Sequence, residues 1–313
     1  MKIAHISDLH ICVENKPENL IKTRRLLEWV LARGCDHLII SGDVSHDACA
    51  ADFEALRGLL DEYGLLDWRR LTMVIGNHDI FGGIYLATDI PDFPDRCRRT
   101  NYTERVLQFA RWFSEAFHHT QQPLAPLPFP FVKILDEAVI FGANSIAPYS
   151  PLTNIMAAKG RLAGRELAQL KRLMTAHRHS HKPKLVVLHH QFRSRFMAPP
   201  PLRSTVETVW DFLNFHFNKL YTKSQLLRLF AEQRVDLVLH GHIHVNAGYE
   251  INGVRFLNGG GSLEGGRAHE LQSNFIAIEQ GNVVVSTESC LVERLPRRPA
   301  WLAQRWQPEY AIG

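Results

Sequence analysis

The sequence predicts an α/β protein, and two observations predict it. In the first 80 residues, short β-branched or leucine-rich runs alternate with helical patterns, the signature of β-α-β units. Five such runs, at residues 3–6, 37–41, 71–75, 184–188 and 236–240, each give way to a small cluster of His, Asp or Asn. The clusters are Asp8-Leu9-His10, Gly42-Asp43, Gly76-Asn77-His78-Asp79, His189-His190 and Gly241-His242-Ile243-His244. Runs of this length bounded by Gly or turn residues read as buried parallel strands, and open α/β sheets receive ligands beyond the carboxyl ends of their strands. The five clusters are therefore expected on one rim.

Each element has its own justification. Pro17 and Glu18 open a helix with Leu20, Leu27, Val30 and Leu31 on one face, and Gly34 closes it. After Asp79 the alternation stops. Residues 81–100 are rich in Gly, Pro and Asp. Tyr102, Val106, Phe109, Phe113 and Phe117 then recur at helical spacing as a packing face, and residues 123–130 form a proline-bounded connector. Strands are expected at 131–135 and 138–143, and a polar helix at 164–177. A second excursion holds Phe192, Phe196, Met197, prolines 199–201 and an aromatic helix over 204–220 with Trp210, Phe212, Phe215 and Phe217, interleaved with Arg193, Arg195 and Arg203. Attached at a ligand-bearing loop, it is either a lid over the pocket or a helix packed on the flank. Runs at 254–257, 274–278, 283–286 and 290–293 read as antiparallel additions to a second sheet. Residues 1–293 thus form one domain with insertions at about 81–130 and 192–222. Residues 294–313 are a basic, Trp-containing tail with Arg297, Arg298, Trp301, Arg305 and Trp306. The tail reads as an ordered strap, a disordered end, or a contact for a membrane surface or partner.

The clusters carry a specific donor chemistry. Carboxylate, amide and imidazole groups without a thiol among them suit divalent ions such as Mg, Mn, Fe or Zn, and two-metal phosphoesterases hold their ions about 3.5–4 Å apart. Seven side chains serve two ions only if one carboxylate bridges them. Asp43 is the natural bridge, as the lone carboxylate of its cluster on a Gly-preceded turn.

Read in order as D-x-H, G-D, G-N-H followed by D, a later H, and G-H-x-H, the clusters resemble the signature of the calcineurin-like metallophosphoesterases, over about residues 2–262. The resemblance implies a four-layer αββα sandwich of two mixed sheets flanked by helices, with helical insertions near the site. It implies that Asp8, His10 and His244 serve one ion, Asn77, His189 and His242 the other, and Asp43 both. It further implies that His78 contacts the phosphate and protonates the leaving group, with Asp79 orienting it. The activity implied is that of a dinuclear metal-dependent phosphohydrolase, foremost a phosphodiesterase in which a metal-bridging hydroxide attacks phosphorus in line.

Two positions depart from the family pattern. Many relatives read H-H-P-P where this chain has His189-His190-Gln191-Phe192. His189, first after the apolar run, is taken as the ligand, leaving His190 as a support behind the ligands, a substrate contact or a loop residue. Gly259-Gly260-Gly261-Ser262 replaces a Pro-Gly-Ser turn and reads as a glycine-permitted turn. Other activities stay open: a lipid-linked pyrophosphate hydrolase resembling the UDP-diacylglucosamine hydrolases, favoured by the aromatic second insertion, or a DNA-repair nuclease. From a different class comes a protein-interaction scaffold without turnover.

Composition narrows the field. Gly260 to Glu264 lacks the closing Gly of a nucleophile elbow, and no phosphate-loop or dinucleotide-binding glycine pattern follows the first strand. The five Cys show no C-x-x-C spacing and are odd in number, which argues against a zinc knuckle or disulfide framework and for a reducing compartment. Cys12, two residues past His10, reads as a redox-sensitive thiol or a buried bystander. A net charge of +4 from 36 basic and 32 acidic residues admits an anionic phosphate-ester substrate and indicates no obligate nucleic acid. The first strand begins too early for a cleavable signal peptide, and no run approaches the roughly 18 apolar residues of a membrane span. A cytoplasmic protein is expected, with peripheral membrane contact left open and the oligomeric state unread.

Overall fold

The computed structural model describes residues 1–84, 89–162, 164–193, 219–263 and 269–292. The first part of the chain builds as β1 (Lys2–Ile6), α1 (Pro17–Ala32), β2 (His37–Ile40), α2 (Ala50–Glu62) and β3 (Leu71–Met73). These three strands are parallel, with Ile3 opposite His37 and Leu38 opposite Leu71. Pro17 starts α1, where its missing N–H costs nothing and its φ is already helical.

The excursion after β3 holds α3 (His78–Phe81), α4 (Phe93–Arg99), α5 (Tyr102–Trp112) and a 3₁₀ turn at Ser114–Phe117. A second sheet grows from β4 (Phe131–Ile134), β5 (Val139–Gly142), β6 (Lys184–Val187), β7 (Leu237–His240), β8 (Asn246–Ile251) and β9 (Val254–Gly259), with α6 (Arg165–Ala176) and α7 (Lys223–Glu232) between strands. The chain returns to the first sheet through β10 (Glu270–Glu279) and β11 (Asn282–Leu291). The strand orders are β11-β10-β1-β2-β3 and β4-β5-β6-β7-β9-β8. The result is a four-layer αββα sandwich.

Period-2 patterning explains why the second sheet is covered on both sides. Ile140, Leu185, Val187, Leu237 and Leu239 face the first sheet in a shared core with Ile3, Ile6, Leu38 and Ile40. The alternate residues Val139, Phe141, Val186 and Val238 pack with Leu170, Met174, Leu226 and Phe230 of α6 and α7. Polar groups also join the layers: Asn274 of β10 donates through Nδ2 to the carbonyl of Asn258 on β9, 3.1 Å away.

Several sequence expectations are corrected. The run at 254–257 is not an antiparallel addition: β9 lies parallel to β7, and only β8, which alternation did not reveal, runs antiparallel to it. The runs at 283–286 and 290–293 are one ten-residue strand, β11, paired antiparallel with β10. Thr287, Glu288 and Ser289 broke the apolar pattern because β11 is an edge strand, and Thr287 donates to Asn274 Oδ1 at 2.6 Å. Residues 81–100 contain α4, opened by Pro94 in its first turn. The helix expected through Phe117 breaks at Phe113 and finishes as the 3₁₀ turn, with Phe109, Phe113 and Phe117 buried as the packing face. Phe196, Met197, prolines 199–201, nearly all of the expected helix over 204–220, and the tail 294–313 lie outside the described residues. No helix among the described residues is long and apolar enough to cross a membrane.

One buried charge spans the sandwich. Lys133 of β4 is fully buried, and its ammonium donates to the carbonyl of Leu71 on β3. Burial pushes its pKa down to about 7 from 10.5. Above about pH 10.5 folded and unfolded chains are both neutral here. As pH falls toward 7 the unfolded Lys takes up a proton that the folded one resists, so stability drops through that window and the penalty is complete below it. Lys133→Met is expected to stabilise the protein near pH 7 by on the order of a few kcal/mol and to flatten stability between pH 7 and 10. Urea midpoints at the two pH values test this, and unchanged slopes would refute it.

Candidate metal centre

At the ends of β1, β2 and β7 the backbone turns through a region that side chains rarely adopt. The φ angle is 55° at Asp8, 41° at His10, 51° at Asp43 and 73° at His242. The loops after β1 and β2 are zipped together, Asp8 N–H donating to Gly42 O at 3.1 Å and His10 N–H to Asp43 O at 3.0 Å. The glycines beside the ligands are required by close approach. A Cβ at Gly76 would fall 2.1 Å from Asp43 Oδ1, and one at Gly241 would fall 2.2 Å from Asp8 Oδ2. The Gly259–Ser262 segment is a turn: Ser262 Oγ donates to Gly259 O at 2.8 Å and accepts from Ser7 N–H at 3.1 Å, tying β9 to β1.

The predicted ligands form two groups at this rim, each drawing on both sheets. Asp8, His10 and His244 make the first, with His10 Nε2 3.0 Å from His244 Nε2 and His244 Nε2 3.7 Å from Asp8 Oδ1. Asp43, His189 and His242 make the second, with Asn77 joining through Oδ1, 3.2 Å from His189 Nε2. Asp43 Oδ2 stands between the groups, 3.2 Å from His189 Nε2 and 3.9 Å from His10 Nε2. The first sheet contributes Asp8, His10, Asp43 and Asn77; the second contributes His189, His242 and His244.

The hydrogen-bond arithmetic of this rim fits cations. Ser41 O lies 2.9 Å from His189 Nδ1 and only accepts, so Nδ1 carries the ring proton and Nε2 of the neutral ring is a lone pair. That lone pair faces Asp43 Oδ2, Asn77 Oδ1 and His242 Nδ1, each at 3.2 Å. Acceptors converging on one point repel one another unless a proton or a metal ion lies among them. In the protein alone a proton does this work. Burial opposes charge on His189, but the neighbouring Asp43 carboxylate more than offsets it and carries the pKa up to about 9. Burial likewise opposes charge on Asp43, yet His189 and His78 hold its carboxyl well below the usual range. His10 Nδ1 and His242 Nε2, both buried, have no hydrogen-bond partner among the described residues. An oxygen and nitrogen donor set with spare buried lone pairs suits two divalent ions.

His78 sits at the edge of this array, its ring 4.6 Å from that of His10. Its N–H donates to Asp43 Oδ1 at 2.8 Å, and its Nδ1 donates to the carbonyl of His46 at 3.2 Å, which leaves Nε2 as the free ring atom. The expectation that Asp79 orients His78 is corrected. Asp79 is fully buried and accepts from Ser45 N–H at 2.9 Å and Gly76 N–H at 2.8 Å, so it fastens the two loops to each other. Burial and the nearby Asp43 push its pKa up to about 8. The group that sets the His78 ring is His46, a residue the sequence reading passes over. It stands three positions beyond Asp43 in the same loop, its ring 5.1 Å from His78 and 5.7 Å from His10.

His190 as a substrate contact is also corrected. It is fully buried, with Nδ1 2.9 Å from Ser145 Oγ and Nε2 3.1 Å from Ala158 O, and its ring lies 4.4 Å behind that of His242. Both nitrogens serve the protein, and the ring backs a ligand. Cys12 is buried, with Sγ 3.6 Å from Asp47 Oδ2.

The family model described as calcineurin-like phosphoesterase matches residues 1–246. This chain belongs to that family. Calcineurin-like phosphoesterases are dinuclear metal-dependent hydrolases of phosphoric esters, and this chain carries candidate metal-binding groups. Among solved structures, a dimetal phosphatase from Danio rerio is 12% identical, with a TM-score of 0.55 over 93% of this chain and 98% of that one. A purple acid phosphatase from yellow lupin (Lupinus luteus) seeds is 12% identical, with a TM-score of 0.53 over 92% of this chain and 51% of that one. At such identities these likenesses show a shared fold. No curated protein matches the chain by sequence.

Proposed function

We propose that this calcineurin-like phosphoesterase is a phosphodiesterase. Asp8, His10 and His244 would hold one ion, Asn77, His189 and His242 the other, and Asp43 both. The observation that carries the reading is Asp43 Oδ2, within 4 Å of a ring nitrogen from each group. When bound, the two ions would neutralise the charge of the phosphate and lower the pKa of a water for in-line attack on phosphorus. The chain's own residues supply the rest. Asp43 fixes His78 through the backbone, and the His46 carbonyl fixes its ring so that Nε2 faces the site as proton donor to the leaving oxygen. Ser41 sets the tautomer of His189, and His190 backs His242.

A turnover panel with protein reconstituted in Mn, Fe, Zn or Mg tests this. A diester chromogen and cyclic nucleotides are expected to turn over faster than a monoester chromogen. A nucleotide-sugar lipid and single-stranded DNA in the same panel test the pyrophosphate-hydrolase and nuclease alternatives. Faster turnover of the monoester, or no turnover with any ion, would overturn the diester reading.

A further inference from the structure

We propose that Arg96, carried by the excursion between α3 and β4, is a positioning residue for His78, acting through Gly83 and His46; this rests on the reading of His78 as the leaving-group acid. The His46 carbonyl that accepts from His78 Nδ1 also accepts from Gly83 N–H, at 2.7 Å. Gly83 is pressed between the two imidazoles: a Cβ there would lie 2.6 Å from both His46 Nε2 and His78 Cε1. The Gly83 carbonyl in turn accepts from Arg96 Nη2, and the Arg96 guanidinium lies 4.8 Å over the ring of buried Phe93.

Gly82 and Gly83 follow His78 by four and five residues, and Gly82 has a φ of 72°. Two successive glycines are the loosest backbone the chain can make. Left alone, they would let the His46 carbonyl and the His78 ring drift together. A guanidinium on the Gly83 carbonyl removes that freedom. Arg105 of α5 does the same for the other loop, its Nη1 donating at 2.9 Å to the carbonyl of Ala48, two residues after His46.

Arg96 rides on α4, which buries Phe93 and Cys97, and Arg105 on the firmly held α5. Phe109 and Phe113 are fully buried, Tyr102 OH donates to Ile146 O at 2.7 Å, and Arg57 binds both Glu115 and the Trp112 carbonyl. The excursion that leaves the sheet behind Asn77-His78 therefore returns to brace the two loops that orient His78.

The test compares Arg96→Ala, Arg96→Lys and a control, Arg98→Ala, whose exposed guanidinium pairs with Asp95 on the same helix. Metal content, melting temperature, kcat on diesters of good and poor leaving groups, and the His78 Nδ1–H resonance of the Zn-loaded protein are measured together. Arg96→Ala is expected to keep its metal, to lose about 10-fold to 10²-fold in kcat with the poor leaving group and only about threefold or less with the good one, and to broaden the Nδ1–H resonance. Lys, which can still donate to the Gly83 carbonyl, should restore most of both, and Arg98→Ala should change nothing. Equal losses for both leaving groups, a lower melting temperature with normal kcat, or a rise in KM alone would overturn the positioning role. If wild type hydrolyses no diester, the functional reading fails separately. An unchanged His78 resonance in Arg96→Ala then overturns the clamp by itself, and a broadened one supports it.

Discussion

Asp43→Ala is expected to emerge from dialysis with most of both metal ions gone and with activity reduced by more than about 10⁴, the scale on which loss of a central catalytic group is felt. The carboxylate lies close to both ligand sets, 3.2 Å from His189 Nε2 and 3.9 Å from His10 Nε2. Its removal takes a ligand from each ion and the negative charge that holds them side by side. It also takes the acceptor for His78 N–H. Asn77→Ala removes a neutral ligand from one group and should retain more metal. Elemental analysis of the two variants decides the matter, and full metal content in Asp43→Ala would refute the bridging role.

His78→Ala should behave in the opposite way. Both ligand groups are complete without its ring, and an alanine N–H still donates to Asp43 Oδ1, so both ions should stay. Turnover is expected to fall by about 10² to 10⁴, the usual contribution of a positioned acid or base, and least for a leaving group that needs no proton. Metal-free protein, or undiminished kcat with a poor leaving group, would show that the ring has some other task.

Much of the site was legible in the sequence because its chemistry is local to strand ends. An apolar run followed at once by Asp8-Leu9-His10 or Gly241-His242-Ile243-His244 has few other uses, and all seven ligand candidates meet at one rim. The partition into two sheets was less legible. Parallel runs such as 184–188 and 254–257 name a strand without naming its neighbours, so the runs predict β9 as an antiparallel addition, whereas it pairs parallel with β7 and antiparallel with β8. Edge strands hid for a related reason: β8 and β11 expose alternate residues and carry Asn246, Glu250 and Glu288 where a buried strand would carry Val or Ile. The roles of Asp79 and His190 turned on direction. A carboxylate next to His78 in sequence points instead at the amides of Ser45 and Gly76, and a second histidine after His189 turns inward to Ser145. His46, Arg96 and Arg105 act through or upon backbone carbonyls, and no motif of residue types records that.

The left-handed backbone at Asp8, His10, Asp43 and His242 has a consequence for how this chain tolerates change. A non-glycine residue held in that region costs on the order of 1 kcal/mol or more, a cost that glycine at the same position largely escapes. The site thus opposes folding at the very residues that define it, and the sandwich beneath must be stable enough to bear them. Variants selected only for thermal robustness would drift toward glycine or asparagine at these positions, gaining stability as they lose the rim. Strain at four of the seven ligand candidates is thus a cost the fold bears for what it binds.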